Sequence, residues 1–77
     1  MINIRDKAAI KLFGQKLKEL RLSKKLSQED LANDADIPIN QIGRIERGEM
    51  NTTLSTIIAL AKALQVHAKD LLDFKYK

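Results

Sequence analysis

Residues 27–48 are punctuated so closely that they constrain the whole chain. Ser27-Gln28-Glu29-Asp30 sets a hydroxyl three residues ahead of an acid, the pattern of a capping box that starts a helix. Two acids in that first turn also suit the positive end of a helix dipole. Pro38 has no backbone donor and belongs in the first turn of another helix. Gly48, after Arg47, supplies a stop. The stretch therefore reads as a helix over about 28–34, a turn of roughly three to four residues, and a helix over about 38–47.

The side chains fit that reading. Leu31 and Ala35 face inward from the first helix, and Ala32 is small where the second must approach. Asp36 stands in the turn, where a left-handed backbone is needed and Asp is tolerated. Ile37, Ile42 and Ile45 bury the turn and the second helix. A short helix, a tight turn and a longer helix are the proportions of a helix-turn-helix.

Helical spacing continues on both sides, through Ile10, Phe13, Leu17 and Leu20, and through Leu54, Ile57, Ile58, Ala61 and Leu64. Thr53 is placed to cap one helix, and His67, with Asp70 three residues on, another. No alternation of period two suggests strands. The expected fold is all-α, a compact bundle of five helices at about 6–23, 28–34, 38–47, 54–65 and 68–73.

With 77 residues the chain reads as a single domain over 1–77, with a short N-terminal extension at 1–6 and a tail at 74–77. It has no cysteine, so packing alone must hold it, and a second subunit would help. Most enzymes need a larger scaffold around a walled pocket. His67 is the lone histidine, with no second histidine or cysteine to complete a metal site. Ser27, Glu29 and Asp30 read as capping groups without a histidine partner. No catalytic residue, metal or cofactor is expected. Arg5, Asp6, Lys7 and Lys11 rule out an apolar export signal in the first dozen residues. The longest apolar run is Ile57–Ala61, so the expected compartment is the cytoplasm, where the sequon Asn51-Thr52-Thr53 has no meaning.

On a 100° wheel, Ile42 and Ile45 fall on one side of the 38–47 helix. Asn40, Gly43, Arg44 and Arg47 fall on the other, with Ile39 and Gln41 at the flanks. Amide and guanidinium groups match the major-groove code, in which Asn or Gln pairs with adenine and Arg with guanine. Ordinary solvated helix faces use the same residues, so the wheel leaves both readings open. The net charge of +4 is unevenly spread. Residues 1–25 hold eight basic against two acidic side chains, and residues 26–50 hold two against six. Basic charge suits a polyanion partner, but here it lies outside the presumed reading head.

The run Leu26-Ser27-Gln28-Glu29-Asp30-Leu31-Ala32, then Ala35-Asp36-Ile37-Pro38, then Ile42-Gly43-Arg44-Ile45-Glu46-Arg47-Gly48 resembles the Cro/CI-repressor-type (XRE-like) helix-turn-helix family. The likeness extends back through Phe13-Gly14, Leu17 and Leu20-Arg21. It runs forward through Leu54, Ile57, Leu60-Ala61-Lys62-Ala63-Leu64, Val66 and Asp70-Leu71-Leu72. It implies a transcriptional regulator of double-stranded DNA whose third helix enters the major groove, usually as a homodimer on a near-palindromic operator. It implies base contacts from Asn40, Arg44, Gln41, Ile39 and Gly43, and phosphate contacts from Gln28 and Arg47. It further implies a structural salt bridge between Arg21 and Glu46. Dimer contacts in such proteins often come from the fourth and fifth helices, here Leu60, Val66 and Leu72. Small stand-alone members serve as phage repressors, restriction–modification controllers and antitoxins.

The chain departs from the pattern in places. Asp36 stands where Gly is usual, Pro38 where Ser or Thr often caps, and Glu49 where many members carry a basic phosphate contact. These departures lower the expected affinity of a monomer and make dimeric binding more necessary, while Gly43, Ile39 and the acidic middle third leave a second reading open. It is a protein-interaction module, such as an antitoxin-type partner, that keeps the fold and reads DNA weakly or not at all. In the tail, Phe74 could close the core or join a dimer contact, and Tyr76 is expected to fray.

Overall fold

A computed structural model describes residues 4–76. It contains α1 (Lys7–Ser23), α2 (Gln28–Ala35), α3 (Ile39–Glu46), α4 (Leu54–Leu64) and α5 (Ala68–Leu71). No strand occurs among the described residues, and none of the helices is long and apolar enough to cross a membrane. Residues 1–3 of the expected N-terminal extension and residue 77 of the tail lie outside the described residues.

Local chemistry sets the helix starts. Asp6 caps α1 by accepting from the Ala9 N–H at 3.0 Å, so the helix begins one residue later than expected. Ser27 Oγ accepts from the Asp30 N–H, and Asp30 Oδ2 accepts from the Ser27 N–H, each at 2.9 Å. Thr53 Oγ1 accepts from the Thr56 N–H at 3.3 Å. Asp70 Oδ2 accepts from the His67 N–H at 2.9 Å. Pro38 departs from expectation: its extended ψ of 139° makes it the residue before α3 rather than the first helical one, and no side chain caps that end.

The stops are equally local. Asp36 takes φ 58° and ψ 47°, which lets the Ile37 N–H reach the Ala32 carbonyl at 3.0 Å. Gly48 takes φ 74°, and the Glu49 N–H reaches back to the Arg44 carbonyl at 2.9 Å. Lys25 and Gln65 make comparable left-handed turns at φ 59° and 58°. α5 ends at Leu71 instead of residue 73, because the chain turns at Leu72 and brings Phe74 back against the core.

Every helix contributes to one core: Phe13 and Leu17, Leu31 and Ala32, Ile42 and Ile45, Leu60, Ala61 and Leu64, and Leu71. Each fully buried Leu or Ile contributes about 1.5–3 kcal/mol over its exposed state. α1 packs on α3 and α5, and α2 packs on α3 and α4. Gly14 lies where α1 crosses α3. A Cβ there would collide with the Ile45 carbonyl oxygen and stand 2.8 Å from that of Glu46.

Three apolar expectations change. Leu54 is 73% exposed and Ile58 also lies at the surface, since the start of α4 projects past the core. Leu60 is completely buried and so cannot form a subunit contact. Of the three residues expected at an interface, only Leu72, at 49%, is substantially exposed; Val66 is half-buried.

Candidate nucleic-acid interface

α3 is an eight-residue helix with sharply divided faces. Ile42, Ile45 and Glu46 are buried, while Ile39, Asn40, Arg44 and Arg47 are exposed and Gln41 is half-buried. The outer surface thus presents amide and guanidinium side chains, the donor and acceptor types that can pair with base edges.

A buried polar network fixes its orientation. Arg21 Nε donates to Glu46 Oε2 at 2.7 Å, and Arg21 Nη2 donates to Glu46 Oε1 at 3.1 Å. Gln28 Nε2 donates to the same Oε1 at 3.0 Å, and Arg21 Nη1 donates to the Leu26 carbonyl at 2.8 Å. One carboxylate on α3 thus gathers donors from α1 and α2. The Arg21 fork supplies the planar two-point geometry that makes such pairs strong and directional. Among the described residues no buried side-chain nitrogen or oxygen lacks a partner.

Gln28 stands at the start of α2, beside the positive end of its dipole. Its amide donates inward to Glu46, which leaves one Nε2 hydrogen and the Oε1 acceptor for other partners.

Gly43 departs from the wheel. Expected on the exposed face, it is buried, because the Arg47 side chain folds back across it. A Cβ at residue 43 would lie 2.9 Å from Arg47 Nη1 and 3.8 Å from Gln28 Oε1. Gly43 therefore presents no free backbone to a groove while Arg47 holds this position.

Arg47 is held there by Glu49. Its Nε donates to Glu49 Oε2 at 2.8 Å and its Nη2 to Glu49 Oε1 at 3.4 Å. These hydrogen bonds hold the Glu49 carboxyl below its ordinary value against a smaller effect of burial, and the charges of Arg47 and Arg44 add to the lowering. Sequence reasoning set Glu49 against DNA but missed its pairing with Arg47. The two are separated only by Gly48, whose turn, rather than any helical spacing, brings them together. At the same turn Gly48 lies against α1, where a Cβ would stand 3.0 Å from Lys11 Cα. The basic α1 thereby reaches the end of α3.

The chain is similar to known proteins along most of its length. The helix-turn-helix family model matches residues 17–71. Control protein C.BamHI of Bacillus amyloliquefaciens is 52% identical over 64 residues, 82% of this chain and 79% of that protein. Control protein C.SmaI of Serratia marcescens is 41% identical over 61 residues, 79% of this chain and 73% of that protein. Among solved structures, the restriction-modification controller protein C.AhdI from Aeromonas hydrophila is similar at a TM-score of 0.82 and 42% identity, covering 83% of this chain and 97% of that one.

Proposed function

This chain belongs to the helix-turn-helix family and is a DNA-binding transcriptional regulator, not an enzyme; from that premise we propose that it controls the genes of a restriction–modification system. It does so as a cytoplasmic homodimer that occupies a near-palindromic operator, with the whole chain acting as one domain.

The observation that carries the reading is the division of α3. Its inner face is locked by Ile42, Ile45 and the Arg21–Glu46 pair, so its outer face is presented in one orientation. Asn40 pairs with adenine and Arg44 with guanine along base edges in the major groove. Gln41 reads from the flank, Ile39 meets a thymine methyl, and Gly43 lets the backbone approach once Arg47 swings out. Gln28, with its remaining amide hydrogen, and Arg47 reach phosphates on either side. Arg21 and Glu46 touch no DNA and act by holding the helix.

Exposed Leu54, Ile58 and Leu72 on the α4–α5 side supply apolar surface for a second copy. Two such copies reach successive major grooves when half-sites lie about 10 bp apart. The controller assignment is supported by relatives named as control proteins that this chain spans over most of their length.

The test is selection from random duplex DNA, with the protein's mass measured free and bound. A symmetric site and a dimeric mass are expected. Asn40→Ala and Arg44→Ala should lose sequence preference while keeping the wild-type circular dichroism. Unchanged selectivity in both variants would remove them from the reading face.

A further inference from the structure

Resting on the reading of Arg47 as a phosphate contact, we propose that Glu49 is a built-in stand-in for that phosphate. It keeps Arg47 folded across α3 in the free protein, and DNA engages the guanidinium only by displacing it.

Three separate features build the folded position. Glu49 offers Arg47 two oxygens, at 2.8 and 3.4 Å, in the same two-point manner as a phosphate. Gly43 provides the space, since a Cβ there would lie 2.9 Å from Arg47 Nη1. The turn at Gly48 fixes the acid, because the Glu49 N–H is bonded to the Arg44 carbonyl at 2.9 Å. Glu49 consequently sits at the end of α3, within the field of both cations of the reading face.

The pair is suited to exchange. Both side chains are more than half accessible or close to it, at 59% and 50%, and accessible ion pairs are weakly held. A phosphate that takes Arg47 leaves the Glu49 carboxylate unpaired beside a polyanion. That carboxylate repels the duplex and attracts a cation from solution. One cation taken up cancels one counterion released from the DNA, so the wild-type protein shows a shallower salt dependence than its phosphate contacts would give.

The experiment uses the full chain and its selected operator, with wild type, Glu49→Gln, Arg47→Ala and the double variant titrated across a salt series. Glu49→Gln keeps the shape and removes the charge. It should tighten binding roughly fivefold at low salt, the scale of an accessible ion pair. The slope of log K against log salt should steepen by about 0.9. Arg47→Ala should weaken binding more in the Glu49→Gln background than in wild type. Two results overturn the exchange while leaving the DNA reading intact. One is an unchanged affinity and slope in Glu49→Gln. The other is a full gain from Glu49→Gln when Arg47 is already alanine, which would mean that the acid acts only through general repulsion. Absence of wild-type binding to any duplex is a different outcome, which overturns the DNA reading and the exchange with it.

Discussion

Replacing Arg21 by methionine removes the guanidinium and keeps much of the stem's volume. Glu46 then loses two of its three side-chain hydrogen bonds and its counter-charge, and keeps only the Gln28 donor. The Leu26 carbonyl loses a donor as well. The two side chains are 9% and 3% accessible, so the near-zero values of surface pairs do not apply. Removing one partner of a buried pair costs about 3–5 kcal/mol. A chain of 77 residues, at about 0.05–0.15 kcal/mol each, holds only about 4–12 kcal/mol in total. Arg21→Met should therefore forfeit about a quarter or more of the stability and lower the midpoint by tens of degrees, at about 4–8 °C per kcal/mol. Urea and thermal unfolding by far-UV circular dichroism, at one protein concentration and without DNA, read this directly. Arg21→Met with Glu46→Leu should recover most of the loss, since an apolar pair has no stranded charge. A single variant that loses less than about 1 kcal/mol, or a double variant no better than the single, would refute the reasoning.

Gly14→Ala should destabilise by about 1–3 kcal/mol, because the added methyl meets backbone of α3 that cannot turn aside. A collision with backbone falls in the upper part of that range, which outweighs the roughly 1 kcal/mol that alanine gains over glycine in a helix, and an unchanged melting temperature would contradict the close crossing. Asp30 is held below its ordinary value near 3.8 by hydrogen bonds from Ser27, backbone first and side chain second. Its contribution is thus complete above that ordinary value and is lost as pH falls through the lower folded value. Asp30→Asn should flatten the acid limb of a stability–pH profile, and an identical limb would assign acid sensitivity elsewhere. Leu72→Glu puts a charge into exposed apolar surface and should yield monomers by sedimentation with weaker operator binding. A dimer of unchanged mass would move the interface off the end of α5.

Much of this was legible because it depends on local chemistry. Ser27 with Asp30 and Gly48 mark ends that any short stretch of chain would show. Asp36 was readable because few residue types accept φ near 60°. Lys25 and Gln65 take the same conformation and carry no such mark; there the Leu26 and Val66 N–H groups close back on the Arg21 and Ala61 carbonyls at 3.1 and 3.0 Å. Leu54 fits the apolar stripe of α4 yet projects beyond the core, since periodicity gives a face and not the extent of the surface it meets. Gly43 was misplaced for a related reason. A wheel positions Cα atoms, whereas Arg47 covers Gly43 by a side-chain rotamer chosen by Glu49. The Arg21–Glu46 pair, 25 residues apart, was legible only through the family resemblance, and its two-point geometry and the Gln28 donor came with the fold. Helical spacing alone does not connect such distant positions.

The divided faces of α3 also bear on how such a protein changes its target. Ile42, Ile45 and Glu46 are buried in the packing, while Asn40 and Arg44 are exposed, Ile39 is about half exposed and Gln41 is half-buried. On the proposed reading of the outer face, substitutions at its exposed positions cost little stability, so lineages could drift among operators without crossing an unfolded intermediate. The same separation suits a randomised library at residues 39, 40, 41 and 44. Its members would share one scaffold and differ only in what they read.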